Sequence, residues 1–359
     1  KGCLILKENE YEQQVFKGRN DFSSVVATTL RHVSDNMFNG AENLAIVIMP
    51  EAVAANGAFQ GTKVENCFFP KLIIVGPCVF EKSQIKKLND DNFSVLEAIC
   101  KGGFMYCPIA TIDLKYIRSI GEFGFYQCPL VLVNIPNVVS IGDFAFDSCE
   151  TLKYLFAESL QTVNCKSFFG CGLITVNLPN LVFIGDYGFG DCTNMKQFCA
   201  EKVQKIGRYC FSNCAVATIN LPSLLSVGDF GFQGCNNLHQ FSVEKLQQVG
   251  RNCFSNCPLL SSINCNLGPD EFTCQKCGGC PVCYQEVEFC LQNGRFGEQV
   301  RKTQVNEALI SEKLIDFKVG ITLQQVLDAE EGEIICGCLV LKEEHYQIGA
   351  FQKRNDFSS

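Results

Sequence analysis

The chain has 359 residues, 47% of them hydrophobic, with 30 Phe, 24 Cys and no Trp. A formal net charge of −8 without a concentrated basic stripe excludes a nucleic-acid binder, which needs such a stripe to displace counterions. No apolar run approaches the ~20 residues of a membrane-spanning helix, and His32, His239 and His345 pair with no Cys in a nucleophile motif, so neither a membrane span nor an enzyme is expected.

Residues 1–24, KGCLILKENEYEQQVFKGRNDFSS, precede a repeated region and read as a capping or junction segment. The opening Lys and the missing leader fit a processed or excerpted chain and are no argument for the cytosol. Residues 25–267 then repeat every 21 or 22 residues. The phase is set by Phe38, Phe59, Phe80, Phe104, Phe125, Phe146, Phe168, Phe189, Phe211, Phe232 and Phe254. A fixed short period means one small unit stacked many times, because each unit buries its apolar face only against its neighbours. About eleven turns are expected, irregular up to residue 98: Phe38 and Phe59 lack a following Cys, and Pro77 interrupts after Val75-Gly76. Later copies carry Cys three residues after the Phe, at Cys128, Cys149, Cys171, Cys192, Cys214, Cys235 and Cys257. Cys buries well as a small hydrophobe, and stacked parallel Cβ atoms do not suit the ~90° torsion of a disulfide, so this ladder should hold free core thiols.

Successive turns alternate in kind. Two residues after the Ile or Val stand Asp143, Asp186 and Asp229 in one kind, and Cys165, Arg208 and Arg251 in the other. Turns ~4.8 Å apart then alternate charge along one edge. Exposed pairs contribute only ~0–1 kcal/mol each, so fixing register is the expected role. Glu158, Glu201 and Glu244 form a solvated stripe that calcium would fit less well. A short strand at Leu152–Ala157 and its equivalents points Val133, Leu155, Val176, Phe198, Ile219 and Phe241 inward. The outward face is then Leu132, Asn134, Tyr154, Phe156, Thr175, Asn177, Gln197, Cys199, Thr218, Asn220, Gln240 and Ser242. Tyr154 and Phe156 are its best anchors, since aromatic side chains dominate interface energies. The Phe and Cys columns should form the opposite wall through short helical or irregular segments.

Val176-Asn177-Leu178-Pro179-Asn180-Leu181 through Ile184-Gly185, Phe189 and Cys192 matches the unit LxxLxLPxLxxIGxxxFxxC. That unit resembles the BspA-like, Treponema-type leucine-rich repeats, closely over about residues 99–267 and loosely over 25–98. The resemblance implies an α/β-type, right-handed leucine-rich repeat solenoid with short parallel strands on its concave face. It also implies a non-enzymatic extracellular or cell-surface protein used in adhesion, with a host or matrix protein or a glycan as ligand.

A Cys-rich, mixed junction region follows at residues 268–335. Cys265, Cys274, Cys277, Cys280, Cys283 and Cys290 crowd together outside the repeat, which reads as a disulfide-stapled segment in an oxidising compartment. Zinc fits less well because its knuckles are usually further apart, and an iron–sulfur cluster less well again because Pro281 follows the third Cys of the run. No metal and no cofactor are expected. Finally, residues 336–359, CGCLVLKEEHYQIGAFQKRNDFSS, match residues 1–24 at fourteen of 24 positions with an offset of 335. The chain reads as one unit of a tandem array carrying the next unit's opening, or as a protein with matched ends. Both readings make the chain its own partner, end to end, through an edge strand at Cys3, Leu4 and Leu6 and again at Cys338, Leu339 and Leu341. Residues 336–359 should share the local fold of residues 1–24. The alternative is a monomeric, receptor-like module binding a ligand on the concave face.

Overall fold

The computed structural model describes residues 2–8, 10–268, 271–272, 280–291, 334–335 and 338–339. Two compact units, Lys1–Gln292 and Asn293–Ser359, are taken separately. The first is a parallel β-solenoid; the stack has about 13 turns, more than the eleven expected. Each regular coil contributes a strand of three residues, such as Tyr154–Phe156, and one of two residues, such as Thr162–Val163. The two-residue strands form one unbroken parallel sheet of eleven, from His32–Val33 to Gln248–Val249. The three-residue strands run alongside in shorter sheets, beginning with Gly2–Leu6, Phe22–Ala27, Ile46–Ile48 and Asn66–Phe68.

Among the described residues there is no α-helix, which corrects the α/β expectation. The reason lies in where the amides of the Phe turn go. In the coil of Phe146, Ala145, Asp147 and Cys149 donate three residues back, to Gly142, Phe144 and Phe146. Phe144, Phe146 and Ser148 donate instead to the next coil, to Cys165, Ser167 and Phe169. An α-helix would spend all of these amides within the segment; here half of them join coils. The alternation requires two left-handed residues per turn, four apart and flanking the Phe, such as Phe144 (φ 55°) and Ser148 (φ 59°).

The central Phe points inward and makes a single file of rings. Phe16, Phe38, Phe59, Phe80, Phe104, Phe125, Phe146, Phe168, Phe189, Phe211, Phe232 and Phe254 stack with centroids 5.1–5.8 Å apart. Phe16 extends the file one rung before the expected start, so residues 1–24 supply the first coil, with Gly2–Leu6 as the edge strand paired to Phe22–Ala27. The early coils stack as regularly as the late ones.

Close approach of coils also explains the recurrent Gly. A Cβ on Gly207 would stand 2.5 Å from Asp186 N, and one on Gly228 2.5 Å from the carbonyl carbon of Gly207. The second unit is described only at Ile334–Ile335, which pairs antiparallel with Cys338–Leu339. In the first copy of the repeat, Cys3 and Leu4 pair parallel with Ser24 and Val25 instead. Leu341 and the remainder of the second copy lie outside the described residues.

Phe211 tests the file. It stacks on Phe189 and Phe232 and meets Phe198 edge-on at 4.7 Å. Phe211→Ala should cost ~3–5 kcal/mol from lost transfer energy plus a cavity. Urea melts of the two proteins measure this, and an unchanged midpoint would mean that the file is not the core.

Candidate interaction surface

The inward set behaves as the strand period requires: Val133, Leu155, Val176, Phe198, Ile219 and Phe241 are all buried. The outward set is less open than its pattern implies. Tyr154, Phe156, Thr175, Asn177, Gln197, Cys199, Thr218 and Gln240 are half-buried, and only Asn220 is exposed. Leu132, Asn134 and Ser242 are buried. Neighbouring coils cover short side chains in the middle of a ladder: Leu132 lies in register beside Tyr154, and Asn134 beside Phe156. Asn134 Nδ2 also donates to Asp113 Oδ1 at 2.9 Å, one coil back. The open apolar positions on this sheet lie near its beginning, at Ile5, Ile46, Ile48 and Phe68.

The Asp column does more than alternate charge. Asp143, Asp186 and Asp229 each accept the backbone amide of the matching residue in the next coil, Cys165, Arg208 and Arg251, at 2.8–2.9 Å. Among these residues a direct ion pair forms between Arg208 and Asp229, at 3.3 Å. Register is therefore held chiefly by side chain to backbone. A second edge carries aromatic side chains at the left-handed position. Phe123 stacks on Phe144 at 4.9 Å, and Tyr187, Tyr209 and Phe230 stack at 4.7 and 4.6 Å. Lys166 fills the intervening rung, its Nζ 5.6 Å from the Phe144 ring and 5.2 Å from Tyr187.

The Cys column is a hydrogen-bonding device. Cys128, Cys149, Cys171, Cys192, Cys214, Cys235 and Cys257 each donate Sγ–H to the carbonyl of the Phe in the preceding coil, at 3.0–3.2 Å. Cys107 does the same to Phe80 at 2.8 Å, one coil before the expected start. Burial pushes the Cys107 thiol up to about 12, and raises Cys128, Cys149, Cys171, Cys214 and Cys235 well above the usual thiol range.

Of the six cysteines expected to form the staple, Cys265, Cys280, Cys283 and Cys290 are among the described residues. Cys265 is buried and donates to Leu267 O. Cys290 pairs with Asn264, one position out of register with Cys265, so strand alternation turns the two sulfurs to opposite faces. Cys280 Sγ stands 3.5 Å from Cys283 Sγ, far beyond the ~2.05 Å of a bond. Cys274 and Cys277 lie outside the described residues. Among the described residues no three metal-ligating side chains cluster, and no helix is long and apolar enough to cross a membrane.

A family model described as the BspA type leucine rich repeat region matches residues 9–116, 74–196 and 161–273, in six copies. The chain belongs to the BspA-type leucine-rich repeat family. Three solved structures illustrate the likeness. The leucine-rich repeat protein of Treponema pallidum is 24% identical over 45% of this chain and 77% of its own, with a TM-score of 0.38. A leucine-rich cell surface protein of Faecalibacterium prausnitzii is 16% identical over 75% and 86%, with a TM-score of 0.40. A leucine-rich repeat protein of Eubacterium ventriosum is 16% identical over 76% and 86%, with a TM-score of 0.43. No curated protein matches the chain.

The raised thiols of this BspA-type stack set its alkaline behaviour. Their neutral form is the one the folded state favours. Their contribution to stability is thus complete below the ordinary thiol pKa of about 8.5 and is lost as pH rises through the folded values. The melting midpoint should fall steadily between about pH 9 and pH 12. At pH 8 iodoacetamide should label exposed Cys3 and Cys290 quickly and leave the column untouched until the chain unfolds. Peptide mass spectrometry reads both classes; equal labelling rates would show the column to be open.

Proposed function

We propose that this chain is a non-enzymatic structural and adhesive protein of the cell surface or extracellular space, built to continue end to end, as a tandem array or as head-to-tail copies. The carrying observation is the 24-residue segment that recurs at an offset of 335, set beside a first coil whose strand, Gly2–Leu6, is seated parallel on Phe22–Ala27. A parallel stack is open at its ends, and a heterologous contact between ends extends into a fibre unless it closes into a ring. The surface location and the adhesive role come from membership of the BspA-type family. The host or matrix protein or glycan that would serve as ligand belongs on the outer face of the three-residue strands.

A second reading, a monomeric receptor-like module, is favoured by the two aromatic side chains that this face carries on one strand, Tyr154 and Phe156. Light scattering and negative-stain images separate the two. Fibres or a concentration-dependent mass support assembly, and deleting residues 336–359 should abolish them. Curved single particles at every concentration support the receptor. Changing Tyr154 and Phe156 together to Ser should weaken ligand capture several-fold in the receptor reading, with an unchanged melting midpoint. It should leave fibre formation intact in the assembly reading.

A further inference from the structure

The two copies of the 24-residue segment differ in a way that follows burial. Of the ten positions that differ, the described ones are 5, 10, 12–15, 17 and 18, and every one is exposed in the first copy. Every buried or half-buried residue of that copy, Leu4, Leu6, Tyr11, Phe16 and the stretch Phe22–Ser24, is kept in the second. Leu6, Phe16 and Phe22 become Leu341, Phe351 and Phe357. The ion pair Arg19–Asp21, whose guanidinium lies 5.5 Å over the Phe16 ring, is kept as Arg354 and Asp356. Residues 336–356 therefore carry every inward-facing residue described for the solenoid's first coil, and the described positions that change lie on its solvent side.

The first coil has a defined seat. Its strand β1 (Gly2–Leu6) lies parallel to β2 (Phe22–Ala27) in a five-pair register. Its Phe16 stacks on Phe38 at 5.3 Å. Gln14, Phe16 and Gly18 donate their amides to the carbonyls of Asp35, Met37 and Asn39. Phe357–Ser359 duplicate the start of β2 itself, so residues 336–356 are the interchangeable part.

We propose that residues 336–356 act as a second first coil and dock on β2 and the Phe38 turn of another copy, in the seat that residues 1–21 otherwise fill. The proposal rests on the end-to-end reading and names its interface. Leu341 takes the place of Leu6, Phe351 stacks on the partner's Phe38, and the amides of Gly349, Phe351 and Lys353 meet the carbonyls of Asp35, Met37 and Asn39. The contact is heterologous, since the donor segment 336–356 and the acceptor, β2 with the Phe38 turn, are different surfaces, and repetition gives a linear polymer unless it closes into a ring. Because the seat is already occupied in each chain, exchange requires release of residues 1–21. The backbone ladder supplies affinity and the two apolar side chains supply selectivity, as in recognition by strand addition.

The test uses the full chain and a synthetic peptide of residues 336–356. A variant lacking residues 1–21 leaves the seat vacant. The peptide should bind it one to one by titration calorimetry and raise its melting midpoint, while a peptide with Leu341→Lys and Phe351→Ser should do neither. In the otherwise intact chain carrying Cys3→Ser and Ser24→Cys, mild oxidation should join Cys338 of one molecule to the introduced thiol at position 24 of another, since position 3 faces position 24 in register. This arm needs no truncated fold. No peptide binding and no such cross-link would overturn the proposal. Fibres that form equally well with Leu341→Lys and Phe351→Ser in the full chain would also overturn it while leaving end-to-end assembly standing. A full chain that stays monomeric although the peptide binds the vacant seat would uphold the docking and overturn assembly.

Discussion

The whole stack depends on the hydrogen bonds that half the amides of each Phe turn donate to the next coil. An ordinary turn closes on itself; this one, from Gly142 to Cys149, divides its donors between its own carbonyls and those of residues 165–169. That division fixes the distance between coils at the ladder spacing, and other features of the sequence answer to it. Coils so close exclude a Cβ at Gly207 and Gly228. The chain reverses by two left-handed residues around each Phe, a conformation that costs an ordinary L-residue ~1–2 kcal/mol. Stacking of the Phe file, and of Tyr187 on Tyr209 on Phe230, offsets that cost where the residue is not Gly. The Cys column belongs to the same logic. The Phe carbonyl faces the interior, and a thiol three residues further on, in the following coil, satisfies it without bringing in a strongly polar group.

This dependence explains what could be read from the sequence. Phe, Cys and the Ile-Gly pair were legible because each fills the same buried place in coil after coil, so it recurs at a fixed offset. Phe16 and Cys107 belong to the same columns but stand out less. Phe16 is followed three residues later by Arg19 rather than Cys, and Cys107 follows Phe104 in a coil that lacks the Ile-Gly pair before its Phe. Both sit at the right spacing, so period alone would have found them. The left-handed positions were not legible at all. They are held by residues as unlike as Asn36, Cys78, Phe144, Lys166 and Gly234, because the constraint there falls on the backbone and not on the kind of side chain. Of the two expectations for this wall, short helical or irregular segments, spacing could not choose: apolar spacing records which residues face inward, not where the amides between them donate.

On the outer face the limits were different. A period of two sets Leu132 and Asn134 outward, yet both are buried, and their burial depends on the coils to either side, which a single turn's sequence does not contain. Register separates cysteines that crowd in the sequence: Cys265 and Cys290 lie on neighbouring strands, yet one step out of phase. Crowding of cysteines carries no information about phase.

The interior of such a solenoid is nearly the same in every coil, so it cannot distinguish one place along the stack from another. Distinction has to come from the exposed positions and from the ends. Along the outer face the exposed large apolar residues gather on the first coils, at Ile5, Ile46, Ile48 and Phe68, and give way to polar Thr, Asn and Gln further on. The strand Gly2–Leu6 in that apolar neighbourhood lies parallel to Phe22–Ala27. Exposed apolar side chains gathered on one ladder are a liability in a solitary protein. They are a benefit beside the seat on Phe22–Ala27 and the Phe38 turn, since residues 336–356 carry the inward residues of the coil that fills it.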